Sequence, residues 1–202
     1  MVNNKIKKKL IKTGQPFSLF VFGSLLSACN SGGDSIIKPV TMTSLTGAVI
    51  KGPLQGALVY ADSDGDGIGD GDPIMTGSDG SYTISATNAN ATIIAITSDD
   101  TVDTSSGEIL SGVTLKAPAG SSVVTPATTI LEAQPNLEPA QLAVALGIPT
   151  TAADGSAIDL MSFNPYSADA DPSAALAAEK AAQQVMVTIK AVSAAAEGAG
   201  MN

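Results

Sequence analysis

Near residue 125 the chain changes its vocabulary. Residues 46–124 are rich in Thr, Val, Ile and Gly in short runs separated by turn formers, whereas residues from 125 onward are rich in Ala, Leu, Gln and Glu. β-Branched side chains suit a pleated surface and unbranched ones suit a helix, so the first part asks for strands and the second for helices. The single cysteine, Cys29, cannot form an intramolecular disulfide, so apolar burial, bound metal or contact between the parts must hold the fold together. The expected class is α+β: a small β-sandwich over residues 45–124, then a small Ala-rich helical bundle over residues 125–202.

Residues 45–49, 57–61, 81–87, 92–97, 112–117 and 122–124 are the candidate strands. Tyr82, Ile84 and Ala86 alternate with Thr83, Ser85 and Thr87, the period of two expected of a sheet with one buried face. Gly52, Pro53 and Gly56 make residues 50–56 a turn between neighbouring strands. In the second part, Thr125 caps a helix with Pro126 in its first position and Ile130 and Leu131 inward. Pro139 opens a second helix through Leu142, Ala143 and Leu146, stopped by Gly147 and Pro149. Ser173 caps a third, spanning about residues 174–195, whose inner stripe runs through Leu176, Ala177, Lys180, Ala181, Gln184, Val185, Thr188, Ile189 and Val192. Alanine lets such a helix approach its partners closely but buries little apolar area per residue. Leu160, Phe163 and Tyr166 are expected to supply the missing bulk.

The chemistry concentrates in Asp62-Ser63-Asp64-Gly65-Asp66-Gly67-Ile68-Gly69-Asp70-Gly71-Asp72. Carboxylates at alternate positions can converge on one hard cation only where the backbone coils tightly, and glycine permits that coil. Calcium takes six to eight oxygens, and a loop of this kind offers side chains at positions 1, 3 and 5, a carbonyl at 7 and a carboxylate or water at 9. Counted from Asp62, these are Asp62, Asp64, Asp66, the carbonyl of Ile68 and Asp70, with Gly67 at the sharp turn of position 6. Position 12 is Pro73, where an EF-hand carries a bidentate glutamate, and no helical pattern flanks the run. The expectation is an EF-hand-like calcium loop between strands, its missing carboxylate coming from Asp72 or Asp79. Five carboxylates within eleven residues, with no lysine or arginine within ten residues on either side, repel one another unless a cation enters. Calcium is preferred to magnesium, which demands a tighter octahedron, and to zinc, which lacks histidine and thiolate ligands here. A second acidic group, Asp99, Asp100 and Asp103, is either an accessory ion site or a solvated turn.

The front of the chain resembles a bacterial lipoprotein signal. Lys5, Lys7, Lys8, Lys9 and Lys12 precede a short apolar run around Phe17, Leu19, Phe20, Val21 and Phe22, and Leu26-Ser27-Ala28-Cys29 matches a lipobox. The run falls short of the roughly 20 apolar residues of a permanent span. The resemblance implies a signal peptide over residues 1–28, acylation of Cys29 with palmitate among its acyl groups, and a lipidated flexible tether over residues 29–44. Several acyl chains anchor a protein stably to a bilayer. Asn30 after the cysteine agrees with delivery to the cell outer membrane, with the protein on its periplasmic or extracellular face.

The segment Gly47-Ala48-Val49 through Gly52-Pro53-Leu54-Gln55-Gly56-Ala57-Leu58-Val59-Tyr60-Ala61-Asp62, the acidic run, and Thr76-Gly77-Ser78-Asp79-Gly80-Ser81-Tyr82-Thr83-Ile84 resemble a known module. They look like the transthyretin-like or carboxypeptidase-regulatory-like β-sandwich repeats of secreted bacterial proteins, including the calcium-binding B-type repeats of adhesins. The resemblance covers about forty residues and implies an extracellular, calcium-stiffened module without catalytic residues. Stretches around Val124-Thr125-Pro126, Ala145-Leu146-Gly147-Ile148-Pro149 and Phe163-Asn164-Pro165 resemble a helical segment that follows such modules in large surface and lipoprotein sequences of Gram-negative bacteria.

From Cys29 onward five lysines face nineteen acidic residues, a net charge of −14, which excludes nucleic acid as a partner. The chain has no histidine, and without it the usual nucleophile and base pairs cannot be built, so the protein reads as non-enzymatic. Two functional readings stand. In the first, an adhesin-like or structural module contacts a surface protein or a carbohydrate. In the second, an accessory envelope lipoprotein docks to a protein complex through its C-terminal helices.

Overall fold

The computed structural model describes residues 41–198. The expected signal, Cys29 and nearly all of the tether lie outside the described residues. In chain order the elements are β1 (Thr43–Val49), β2 (Leu54–Gln55), β3 (Leu58–Asp62), β4 (Asp70–Met75), β5 (Ser81–Ala86), β6 (Thr92–Ile96), β7 (Val102–Asp103), β8 (Glu108–Ile109), β9 (Thr114–Ala117) and β10 (Val123–Val124), then α1 (Pro126–Ala133), α2 (Pro139–Leu146) and α3 (Pro172–Gly198). The class is α+β.

The strands form three sheets, ordered β10-β1-β5, β4-β3-β6-β9 and the small β2-β7-β8. β1 runs antiparallel to β5, with Leu45 opposite Ile84, and parallel to β10, with Ala48 opposite Val123. All pairs in the four-stranded sheet are antiparallel. Strand alternation sends Val49, Tyr82 and Ile84 of one sheet and Val59, Ile93 and Leu115 of the other into one apolar core. Tyr82 takes part with its ring, and burial pushes its phenol up to about 12.

A second core gathers Leu131 of α1, Leu142 and Ala143 of α2, Ile148, Leu160 and Ala181 of α3. α3 serves both cores, since Met186, little more than one turn beyond Ala181, packs into the first. The described residues all fall in one compact unit. No helix among the described residues is long and apolar enough to cross a membrane.

Local signals explain most boundaries. The Thr125 hydroxyl accepts from the Thr128 N–H while the Thr128 hydroxyl accepts from the Thr125 N–H, a reciprocal cap with Pro126 behind it. Gly147 ends α2 in the left-handed region, at φ 72°. The third helix departs from expectation: Asp171, not Ser173, is its cap, accepting from the N–H groups of Ser173 and Ala174. Its buried face is also rotated, for Ala174, Ala181 and Met186 are covered whereas Leu176, Lys180 and Gln184 are exposed.

Three expectations for the first part change. Residues 50–56 contain a short strand, β2, which pairs with β7 at Leu54 and Asp103. β7 and β8 lie where no strand pattern was visible. Finally, the far end of the acidic run, Asp70 to Asp72, belongs to strand β4 rather than to a loop. Asp70 lies opposite Ala61 and Ile74 opposite Val59, so Tyr60 alone faces the three residues 71–73, a bulge that accommodates Pro73 on an edge strand.

Candidate metal centre

Asp62 closes β3 and Asp70 opens β4, so residues 63–69 form the loop of an antiparallel pair. Asp62 is only 4% exposed, although the loop above it faces solvent. Its Oδ1 accepts from the Gly65 N–H at 2.8 Å and its Oδ2 from the Gly67 N–H at 2.9 Å. Both donors depend on glycine, with φ of 80° at Gly65 and 87° at Gly67, where a side chain would be strained. Ser63 N–H donates to Asp70 Oδ2 at 2.7 Å, and Asp66 N–H donates to Asp64 Oδ1 at 3.1 Å. Asn88 Nδ2 donates to the Ser63 carbonyl at 3.2 Å and ties the loop to the β5–β6 connection.

This coil brings one carboxylate oxygen each from Asp62, Asp64 and Asp70 within 4.8 Å of one another. Oxygens around one calcium ion, each at about 2.3–2.6 Å from it, have such separations. Three anionic oxygens at the surface can chelate a divalent cation, and the open side leaves room for carbonyl or water ligands.

Of the other expected ligands, Asp66, Asp72 and Asp79 fall outside this trio. Asp66 turns its Oδ1 to the Ile68 N–H at 2.8 Å. Ile68, whose carbonyl was the expected seventh-position ligand, has an exposed side chain at the loop tip. Asp72 lies two residues along β4, within the bulge, and is exposed. Asp79 belongs to the separate turn before β5, where its Oδ1 accepts from the Ser81 N–H at 3.0 Å. Hydrogen bonds from the Ser81 side chain and then its N–H hold the Asp79 carboxyl below the usual range.

A cation that sequence proximity did not reveal also reaches the loop. Lys116 Nζ, from β9, donates to the Gly67 carbonyl at 3.2 Å. Only the sheet register brings it there: Tyr60 pairs with Ile94, and Ile94 with Lys116. Gly69 lies so close against Tyr60 that a β-carbon would strike the ring's base, which keeps the loop down on this face.

The second acidic group divides: Asp99 and Asp100 lie in an exposed turn, as one expectation had it, whereas Asp103 does not. Asp103 pairs with Lys51 at 2.9 Å, the two side chains being 1% and 8% exposed. Burial raises the Asp103 pKa, but hydrogen bonds from Ser105 and Lys51 and the lysine charge outweigh it and leave the carboxyl below its ordinary value. Asp99 and Asp100 are exposed. The pair is structural, and no metal is needed to neutralise Asp103.

Comparison with family models, with curated proteins and with solved structures finds no match for this chain.

Proposed function

We propose that the protein is a non-enzymatic calcium-binding module of the bacterial cell surface, held to the outer membrane by lipid on Cys29. The observation that carries this reading is the convergence of Asp62, Asp64 and Asp70 on one point. Calcium fits an open oxygen site with variable ligand number better than magnesium does. Two sheets enclosing one core support the β-sandwich reading, and with it the resemblance to transthyretin-like and adhesin repeat modules. In such a module the ion stiffens the β3–β4 turn, and the outward loops meet a surface protein or a carbohydrate.

The second reading, an accessory lipoprotein docking through its helices, draws on the exposed Leu176 and Val187 of α3. Protease sensitivity on intact cells separates the two, since a docked accessory protein is shielded and a surface module is cut.

Calorimetric titration of calcium into the protein and into an Asp64→Asn, Asp70→Asn double variant tests the central claim. The expected result is one site in the wild type and none in the variant. No heat of binding up to millimolar calcium in the wild type rejects it. Loss of palmitate incorporation in Cys29→Ser tests the anchor.

A further inference from the structure

Lys116 is connected at both ends. Its backbone N–H donates to Thr129 Oγ1 at 2.9 Å and its carbonyl accepts from Thr128 Oγ1 at 3.0 Å, so α1 fixes the residue from behind. In front, its ammonium holds the Gly67 carbonyl, and the same residue's N–H donates to Asp62 Oδ2. One residue, Gly67, therefore joins the lysine's positive charge to the buried carboxylate of the candidate centre. Residues 63–69 contain no cation of their own.

We infer that Lys116 is a built-in counter-ion that regulates this site: it holds the acidic loop closed when no metal is bound and opposes the entry of a divalent cation. The first half follows from geometry, because an ammonium from a strand already anchored to α1 clamps the tip of a loop whose carboxylates repel one another. The second follows from charge, because a divalent ion among Asp62, Asp64 and Asp70 must approach a positive group that the fold cannot withdraw without giving up the Gly67 contact. The site is thus set for high ambient ion concentrations, in the manner of weak extracellular calcium modules. The second half rests on the cation-binding reading above; the first does not.

The test uses wild type, Lys116→Met and Lys116→Arg. In chelator, amide hydrogen exchange over residues 63–69 is expected to be several-fold faster in Lys116→Met than in wild type, and restored in Lys116→Arg. Unchanged exchange in Lys116→Met overturns the clamp. In calcium titrations Lys116→Met is expected to bind about threefold to tenfold more tightly, the range for one screened unit charge acting on a divalent ion at short distance. Equal or weaker binding overturns the opposition. If neither protein binds calcium, the proposed function fails and the opposition with it, while the clamp is still decided by the exchange rates in chelator.

Discussion

Lys51 and Asp103 neutralise one another inside the protein, and neither can lose its partner cheaply. Breaking a buried pair from one side leaves an uncompensated charge, a cost of about 3–5 kcal/mol. Gly52 is part of the arrangement, because a β-carbon there would overlap the Asp103 carboxylate. Lys51→Ala is expected to lower unfolding stability by about that amount in urea denaturation; a loss under about 1 kcal/mol means that water screens the pair. A lowered folded pKa means that Asp103 contributes stability above its unfolded value of about 3.9, and that this contribution is lost as pH falls through the folded value. Asp171 shifts the same way, chiefly through the Ala153 N–H and then that of Ala174. Stability is therefore expected to be flat from about pH 5 to about pH 9 and to fall below about pH 4, as thermal melts across that range will show. At this scale the Asp62, Asp64 and Asp70 set was legible because its spacing is local. The Lys51–Asp103 pair was not, since 52 residues separate its members and only the β2–β7 pairing joins their surroundings.

Among the elements, α1 shows how one threonine can serve both a helix and a sheet. The Thr128 hydroxyl receives the Thr125 N–H at 2.8 Å and donates to the Lys116 carbonyl at 3.0 Å, in a position with no exposure. Thr128→Val keeps the shape and deletes both bonds. It is expected to cost about 1–2 kcal/mol in chemical denaturation, with no change in far-ultraviolet dichroism beyond α1. A neutral effect means that the cap and the strand edge are satisfied another way. The starts of α1 and α2 were readable because Thr-Pro and Glu-Pro at their entrances act through neighbouring backbone. β4 was not, for Asp-Gly-Asp-Pro has the composition of a turn, and its strand conformation comes from pairing with β3 across a bulge. β7 and β8 are two residues each and carry no period to read.

Across the whole molecule, α3 links the two cores through Ala181 and Met186. Scanning calorimetry is accordingly expected to show one cooperative transition; two resolved transitions mean that the cores melt apart. Calcium at a hundred times Kd adds about 2.7 kcal/mol to a state that alone binds it. For a domain of this size that moves Tm upward by roughly 5–10 °C, and the Asp64→Asn, Asp70→Asn variant is expected to show no shift. An unchanged wild-type midpoint in excess calcium contradicts the cation reading. The division into strand-rich and helix-rich halves was legible in composition, but the residues that join them were not. Alanine on α3 gives no sign of which neighbour it faces, and the buried face follows from how the sheet core receives Met186.

β1 is the middle strand of its sheet, bordered by β5 on one side and β10 on the other. A pull transmitted along the chain into Thr43 meets the β5 ladder first, over Thr43–Ala48, and the β10 ladder only at Ala48 and Val49. As the middle strand, β1 cannot leave the sheet without breaking its pairing with both neighbours. The entry strand is thus held from both sides, by β5 along most of its length and by β10 at its far end.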